Sequence, residues 1–127
     1  MRWEQRDAAD LVRRVLIRAV VDGHNLVRSE VPAGWTPTST PVCTVVGDGT
    51  PHTTRGWTRE VVRVTVYGRY GPQVRQLMTT LDGILLMPRV GYAISPSTGV
   101  IATTNSRLGG WVASATYNVA TNRKVVA

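Results

Sequence analysis

Arg59, Arg63 and Arg69 are the residues of this 127-residue sequence whose type and spacing could do chemistry. They flank a run in which Val62, Val64 and Val66 alternate with Val61, Arg63, Thr65 and Tyr67, the period-two pattern of a half-buried strand. With the even positions turned to a core, all three arginines share the opposite face with Thr65 and Tyr67. A sheet face carrying three arginines needs a partner: solvent, acidic side chains on a neighbouring subunit, or phosphate. Tyr67 adds an aromatic ring on which a base could stack. A solvated face or inter-subunit ion pairs account for the same residues. No helix-turn-helix or zinc-finger spacing accompanies them, so sequence-specific readout of nucleic acid is disfavoured.

Other chemistry finds no constellation. The eight acids are scattered, most of them on one helix or in turns, so no two converge as a hydrolytic pair. His24, His52 and Cys43 lie on separate segments without metal-ligand spacing. The serines and threonines sit in turn or strand contexts rather than beside a base. Gly47-Asp48-Gly49 and Gly68-Arg69-Tyr70-Gly71 are glycine-containing turns that lack the length and the lysine of a phosphate-binding loop. The expectation is a protein that is not an enzyme, with no catalytic residues, no metal and no cofactor. Cys43, among Val42, Thr44, Val45 and Val46, reads as a small buried hydrophobe.

The elements that must position the arginines follow from periodicity and punctuation. A first helix is predicted from about Asp7 to Val21, with Ala8, Leu11, Val12, Val15, Leu16 and Ala19 on one half of the wheel. Ile17 stands alone on its polar half, a candidate contact in an assembly. Asp22-Gly23 closes the helix, glycine taking the left-handed cap. A short strand at Leu26 to Val31 leads into the proline-punctuated connector Val31 to Pro41, and a second strand covers Val42 to Val46. Gly47 to Gly56 reads as a long hairpin loop, and Asp48, Gly49, Thr50, Pro51, His52 and Arg55 are its candidate interface residues. Past the basic strand, Gly71-Pro72 opens a helix whose Val74, Leu77, Met78, Leu81, Ile84 and Leu85 recur at helical spacing. Met87-Pro88 stops it. Val90 to Ile94 is a short strand, and Ser95 to Gly110 reads as turns around Val100 to Ala102. Trp111 to Thr121 is the last strand, with Trp111, Ala113, Ala115, Tyr117 and Val119 on one face. This order predicts a single α+β domain over residues 1–127, two helices packed on one face of a mostly antiparallel sheet.

The totals agree with that reading. Fifteen basic residues stand against eight acidic ones, a net charge of +7, and fourteen of the fifteen are arginine. The excess lies in the middle and end of the chain: residues 49–75 hold five arginines against Glu60 alone. Such a field favours polyanions or acidic protein surfaces. One cysteine cannot form an internal disulfide. No apolar run approaches the roughly 20 residues that span a bilayer, and Arg13, Arg14 and Arg18 interrupt the N-terminal one. The protein is therefore expected to avoid membranes and stay where it is made.

Several segments, taken in order, resemble the tail terminator proteins of long-tailed phages, especially those of actinobacteria. They are Val31-Pro-Ala-Gly-Trp-Thr-Pro37, Gly47-Asp-Gly-Thr-Pro-His52, Thr58-Arg-Glu-Val-Val-Arg-Val-Thr-Val-Tyr-Gly68, Ile94-Ser-Pro-Ser-Thr-Gly99 and Gly110-Trp-Val-Ala-Ser-Ala-Thr116. They span residues 31–116, about two thirds of the chain, and the leading helix agrees with them. The resemblance implies a tail-terminator-like α+β fold and a structural virion protein that assembles as a hexameric ring on the finished tail tube. Such a ring halts tube polymerisation and joins the tail to a head-completion or stopper protein. DNA passes through its lumen without sequence specificity. The place implied is the head-proximal end of the tail in the virion, and the host cytoplasm during assembly. The family has no catalytic residues or cofactor to carry over. The alternatives are a stopper protein of the same head-tail connector, or a non-specific nucleic-acid-binding module.

Overall fold

The computed structural model describes every residue except 1, 5–6, 21, 54–56, 106, 123 and 127, and gives the backbone alone for 2–4, 50–53 and 124–126. In chain order the elements are β1 (Arg2–Glu4), α1 (Ala8–Ala19), α2 (Gly23–Leu26), β2 (Val27–Arg28), β3 (Val42–Thr53), β4 (Trp57–Gly68), α3 (Gly71–Leu85), β5 (Tyr92–Thr104), β6 (Trp111–Asn122) and β7 (Lys124–Val126). β1 and β7 form a two-stranded antiparallel pair near the two ends of the chain. The other strands make one sheet in the order β2-β3-β4-β6-β5. Every pairing in it is antiparallel except the short parallel contact of β2 with Cys43 and Thr44. The fold is α+β with a mixed, mostly antiparallel sheet. No helix among the described residues is long and apolar enough to cross a membrane.

β4 is the spine. It pairs along its length with both β3 and β6, and its even side chains Val62, Val64 and Val66 are fully buried. α1 closes over them with Ala8, Val12 and Leu16, and α3 with Val74, Met78, Leu81 and Leu85. Cys43 and Val45 from β3, and Ala113, Ala115, Tyr117 and Val119 from β6, complete the same layer. Leu77 and Val15 pack only at its margin. Leu11 stands apart from it, half-buried beside Gly91, Tyr92 and Thr121. The buried stripe of α3 therefore runs through Val74, Met78, Leu81 and Leu85, with Leu77 on its flank.

α1 begins where its caps require. The Asp7 carboxylate accepts the Asp10 N–H at 3.0 Å, and the Glu60 carboxylate of β4 accepts the Ala8 N–H at 3.0 Å. Two anions thus sit at the positive end of the helix dipole, one of them binding helix to sheet. The helix closes differently from the expectation. Asp22, not Gly23, takes the left-handed conformation (φ 58°), and Gly23 starts the short helix α2. Glycine is needed there for space: a Cβ would lie 2.3 Å from the Ile17 carbonyl oxygen. α2 covers that turn, so Ile17 is half-buried against the core rather than a free contact. At the far end of α3, Arg89 donates to the Ile84 carbonyl at 2.6 Å, satisfying a terminal acceptor.

Two segments expected as loops are strand. β3 runs on through Gly47 to Thr53, with register shifts between Gly47 and Gly49 and between Gly49 and His52. Asp48, Gly49, Thr50, Pro51 and His52 thus belong to a bulged strand; Arg55 lies outside the described residues. β5 likewise absorbs Ser95 to Thr104, shifting register around Thr98, and the described part of the turn shrinks to Asn105 and residues 107–110. Glycine and proline suggested loops in both places, but among the described residues the far edge of each strand carries little or no pairing. Outer strands accept a missing N–H or a bulge that an inner strand would not. The first short strand is also smaller than expected, Val27–Arg28 instead of Leu26 to Val31.

Tyr117 is the largest fully buried side chain, and its hydroxyl donates to Asp82 Oδ1 at 2.6 Å. Burial, then that carboxylate, push its pKa well above the ordinary 10, and burial pushes the Cys43 thiol up to about 12. Both groups are held neutral in the fold but ionise near their ordinary values of 10 and 9 once unfolded. Their contribution is complete below pH 9 and is lost as pH climbs toward the folded values. Chemical-denaturation stability should accordingly be flat from neutrality to about pH 8.5 and fall above pH 9, and Cys43→Ala should remove the first part of that fall. Leu81→Ala should cost roughly 2 to 5 kcal/mol by urea unfolding. Leu77→Ala, at the margin, should cost clearly less.

Candidate interface on the open sheet face

Helices cover only one side of the sheet, so the odd positions of β4 and their neighbours form an open face. Register aligns Val42, Thr44 and Val46 of β3 with Tyr67, Thr65 and Arg63 of β4, and these with Val112, Ser114 and Thr116 of β6. The result is a row of hydroxyls, Thr44 and Thr65 nearly buried and Ser114 and Thr116 partly exposed, with Val46 and Arg63 open to solvent. On β5 and β6 two hydroxyls join at 2.7 Å, Thr98 to Thr116, and each accepts the other residue's backbone N–H. That exchange closes the bulge of β5.

The three candidate arginines reach this face unequally. Arg63 is half-exposed, and its guanidinium meets Asp48 Oδ1 at 3.4 Å. Of the partners open to it, Arg63 takes an acid, and one from its own chain; strand continuation through Asp48 is what brings it there. Arg59 is half-buried, with its Nε enclosed and without an acceptor. Arg69 leaves the row. It follows the end of β4, and its guanidinium lies 5.1 Å over the ring of Tyr70. A continuous three-arginine stripe does not form; Arg59 and Arg63 remain on the strand, and Arg69 marks its exit. Of the other candidates, Gly49 adopts φ 125° in the β3 bulge, while Thr50, Pro51 and His52 are defined as backbone only.

A further part of the face comes from the connector, whose role the sequence pattern left open. Trp35 is almost fully buried, donates its indole N–H to the Thr40 carbonyl at 3.0 Å and meets Tyr67 edge-on at 6.0 Å. Residues 31–35 fold over this corner and face the turn after β5, where Asn105 Oδ1 accepts the Arg107 and Leu108 N–H groups. The turn needs Gly110: at φ 74°, a Cβ would stand 2.4 Å from the Gly68 carbonyl oxygen. Between connector and turn lies a pocket of about 430 Å³, lined by Pro32, Trp35, Tyr67, Arg107, Leu108 and Val112 among others. A shallower depression of about 330 Å³ continues past Tyr67 to Thr65, Arg63 and Ser114. A tryptophan inside a proline-rich connector was the one sequence signal for this corner.

Chemically, the face offers aromatic rings, hydroxyls and guanidinium groups, which bind surfaces and anions. Among the described residues no three His, Cys, Asp or Glu side chains converge as a metal site. Cys43 lies in the core with its thiol held protonated, and His24 is exposed on α2. Compared with known proteins, the chain matches no family model and no curated sequence.

Trp35→Ala should cost about 3 kcal/mol and loosen residues 31–41, read as faster amide exchange there. Arg63→Gln breaks only a partly exposed pair and should change stability by less than about 1 kcal/mol.

Proposed function

We propose that this protein is a tail terminator, a structural virion subunit that caps the tail tube of a long-tailed phage as a ring. The observation that carries this reading is where the five resembling segments fall. Val31–Pro37 is the connector over Tyr67, Gly47–His52 the outer half of β3, Thr58–Gly68 the spine β4, Ile94–Gly99 the bulge of β5, and Gly110–Thr116 the first half of β6. They form one continuous patch made of the sheet and its connector. A subunit whose helices all pack on one side, with hydroxyls and isolated arginines on the other, suits a ring in which each copy touches neighbours on two flanks. The contacts sought are with the tail tube protein on one surface and a head-completion protein on the other. A hexameric closure and passage of DNA through the lumen belong to the same proposal. Phosphate contacts there would come from exposed arginines such as Arg63 and be indifferent to sequence.

Electron microscopy of particles made without the protein tests the reading. Overlong, headless tails are the expected result. Tails of normal length that fail to join heads would instead assign it to head completion. Replacing Arg59, Arg63 and Arg69 together by Gln should leave tail length normal and alter DNA ejection, measured as potassium release or genome delivery. Tails that outgrow their normal length with this variant would mean that the arginines hold subunits or tube together.

A further inference from the structure

Both flanks of the five-stranded sheet end in open strand edges. β5 closes the strand order on one side, and no described strand pairs with its far edge. On the other side β2 covers β3 only at Cys43 and Thr44, which leaves β3 without a described partner on its outer edge from Val45 to Thr53. Unpaired N–H and C=O rows recruit other strands, and proteins that must stay monomeric guard them with charge, proline or short length. β5 is guarded only by Pro96 and by the bulge around Thr98. It is 13 residues long and has no charged residue, and Pro96 is its one proline. Its last six residues, Gly-Val-Ile-Ala-Thr-Thr, combine β-branched side chains with neither charge nor proline, the composition of a strand that seeks a partner. Ile101 faces the open side at this edge and is 62% exposed.

We propose that β5 of one copy pairs with the outer edge of β3 of a second copy, so that the sheet continues across the subunit boundary. The occupant is set by the chain itself, which supplies one open edge on each flank. β3, β4, β6 and β5 alternate in direction because each successive pair is antiparallel. A second copy in the same orientation therefore presents β3 antiparallel to β5, the pairing found throughout the rest of the sheet. A symmetric β5–β5 dimer would satisfy one edge and leave β3 open. Asp48, the charged side chain described on this edge, is already engaged by Arg63 of its own chain. Such a contact is head-to-tail and closes into a ring when the rotation per copy allows it. It holds for any assembly of this chain and so goes beyond the tail reading, while naming the seam that a tail ring would use.

Cross-linking of the purified full-length chain tests it. The buried Cys43 serves as an unreactive background, and Val46→Cys on β3 and Ile101→Cys on β5 are made separately, with tags of different length. Both positions are exposed, one on each strand that has an open edge. A short bismaleimide should join the two variants to each other in a mixture, and a chain carrying both changes should give a ladder. Ile101→Cys joining to itself would show the symmetric pair and overturn the proposal, as would an assembled protein that gives no mixed product. In parallel, Ile101→Lys with Thr103→Lys should weaken self-association by roughly tenfold or more in light scattering, with circular dichroism unchanged and any fall in melting temperature confined to concentrations at which the wild type assembles. Assemblies that persist undiminished in that variant, or a wild-type chain that stays monomeric at high concentration, would overturn it too. Tail length plays no part in these readouts, so the seam and the tail reading fail separately.

Discussion

The one-sided burial of β4 is the constraint on which the rest of the molecule depends. Three valines on its even face are fully buried under two helices, and its odd face carries arginine, threonine and tyrosine. A slip of one residue would expose those valines and drive Arg63 into the core, and an unpaired buried charge costs several kcal/mol. Register is therefore locked in the central strand, and β3 and β6 take theirs from it. The one charged residue on the even face, Glu60, sits where the N-terminus of α1 can use it, accepting the Ala8 N–H. A charge on the buried side thus becomes the joint between sheet and helix.

Collecting the helices on one side has a second consequence. The other face needs no apolar layer, so it tolerates hydroxyls and cations, and a loop builds an aromatic corner on it. Trp35 lies against Tyr67, and the turn after β5 stands opposite, giving a pocket bounded by backbone whose shape glycines permit. Rigid strands hold the floor while irregular segments form the walls, a common division of labour in binding surfaces. On the proposed reading this face and the two strand edges do the work of the protein, and the buried layer only holds them in place.

The outer strands link stability to assembly. Their glycines, prolines and bulges are tolerated because, among the described residues, little or nothing pairs beyond them. The same lack of a neighbour leaves backbone groups available to another chain. Local irregularity at β3 and β5 is thus a property of position in the sheet, and the sheet order decides it.

The sequence by itself determined the periodic parts. The alternation Val62, Val64, Val66, the helical stripe through Val74, Met78, Leu81 and Leu85, and the face Ala113, Ala115, Tyr117, Val119 were all legible, because burial on one side imposes a period that composition must obey. The Asp7 start of α1 was legible too, since capping is local. What only the tertiary structure decided were the outcomes that depend on neighbours distant in sequence. Gly47–Thr53 and Ser95–Thr104 looked like loops, since breakers are read locally while edge position is set by strand order. Gly23 looked like a cap, yet the approach of α2 to Ile17 is what demands it. Of the candidate site, the open face and Arg63 were legible. The pairing of Arg63 with Asp48, the departure of Arg69 toward Tyr70, and the Trp35 corner were not, because side chains on separate segments meet only when the sheet register brings them together.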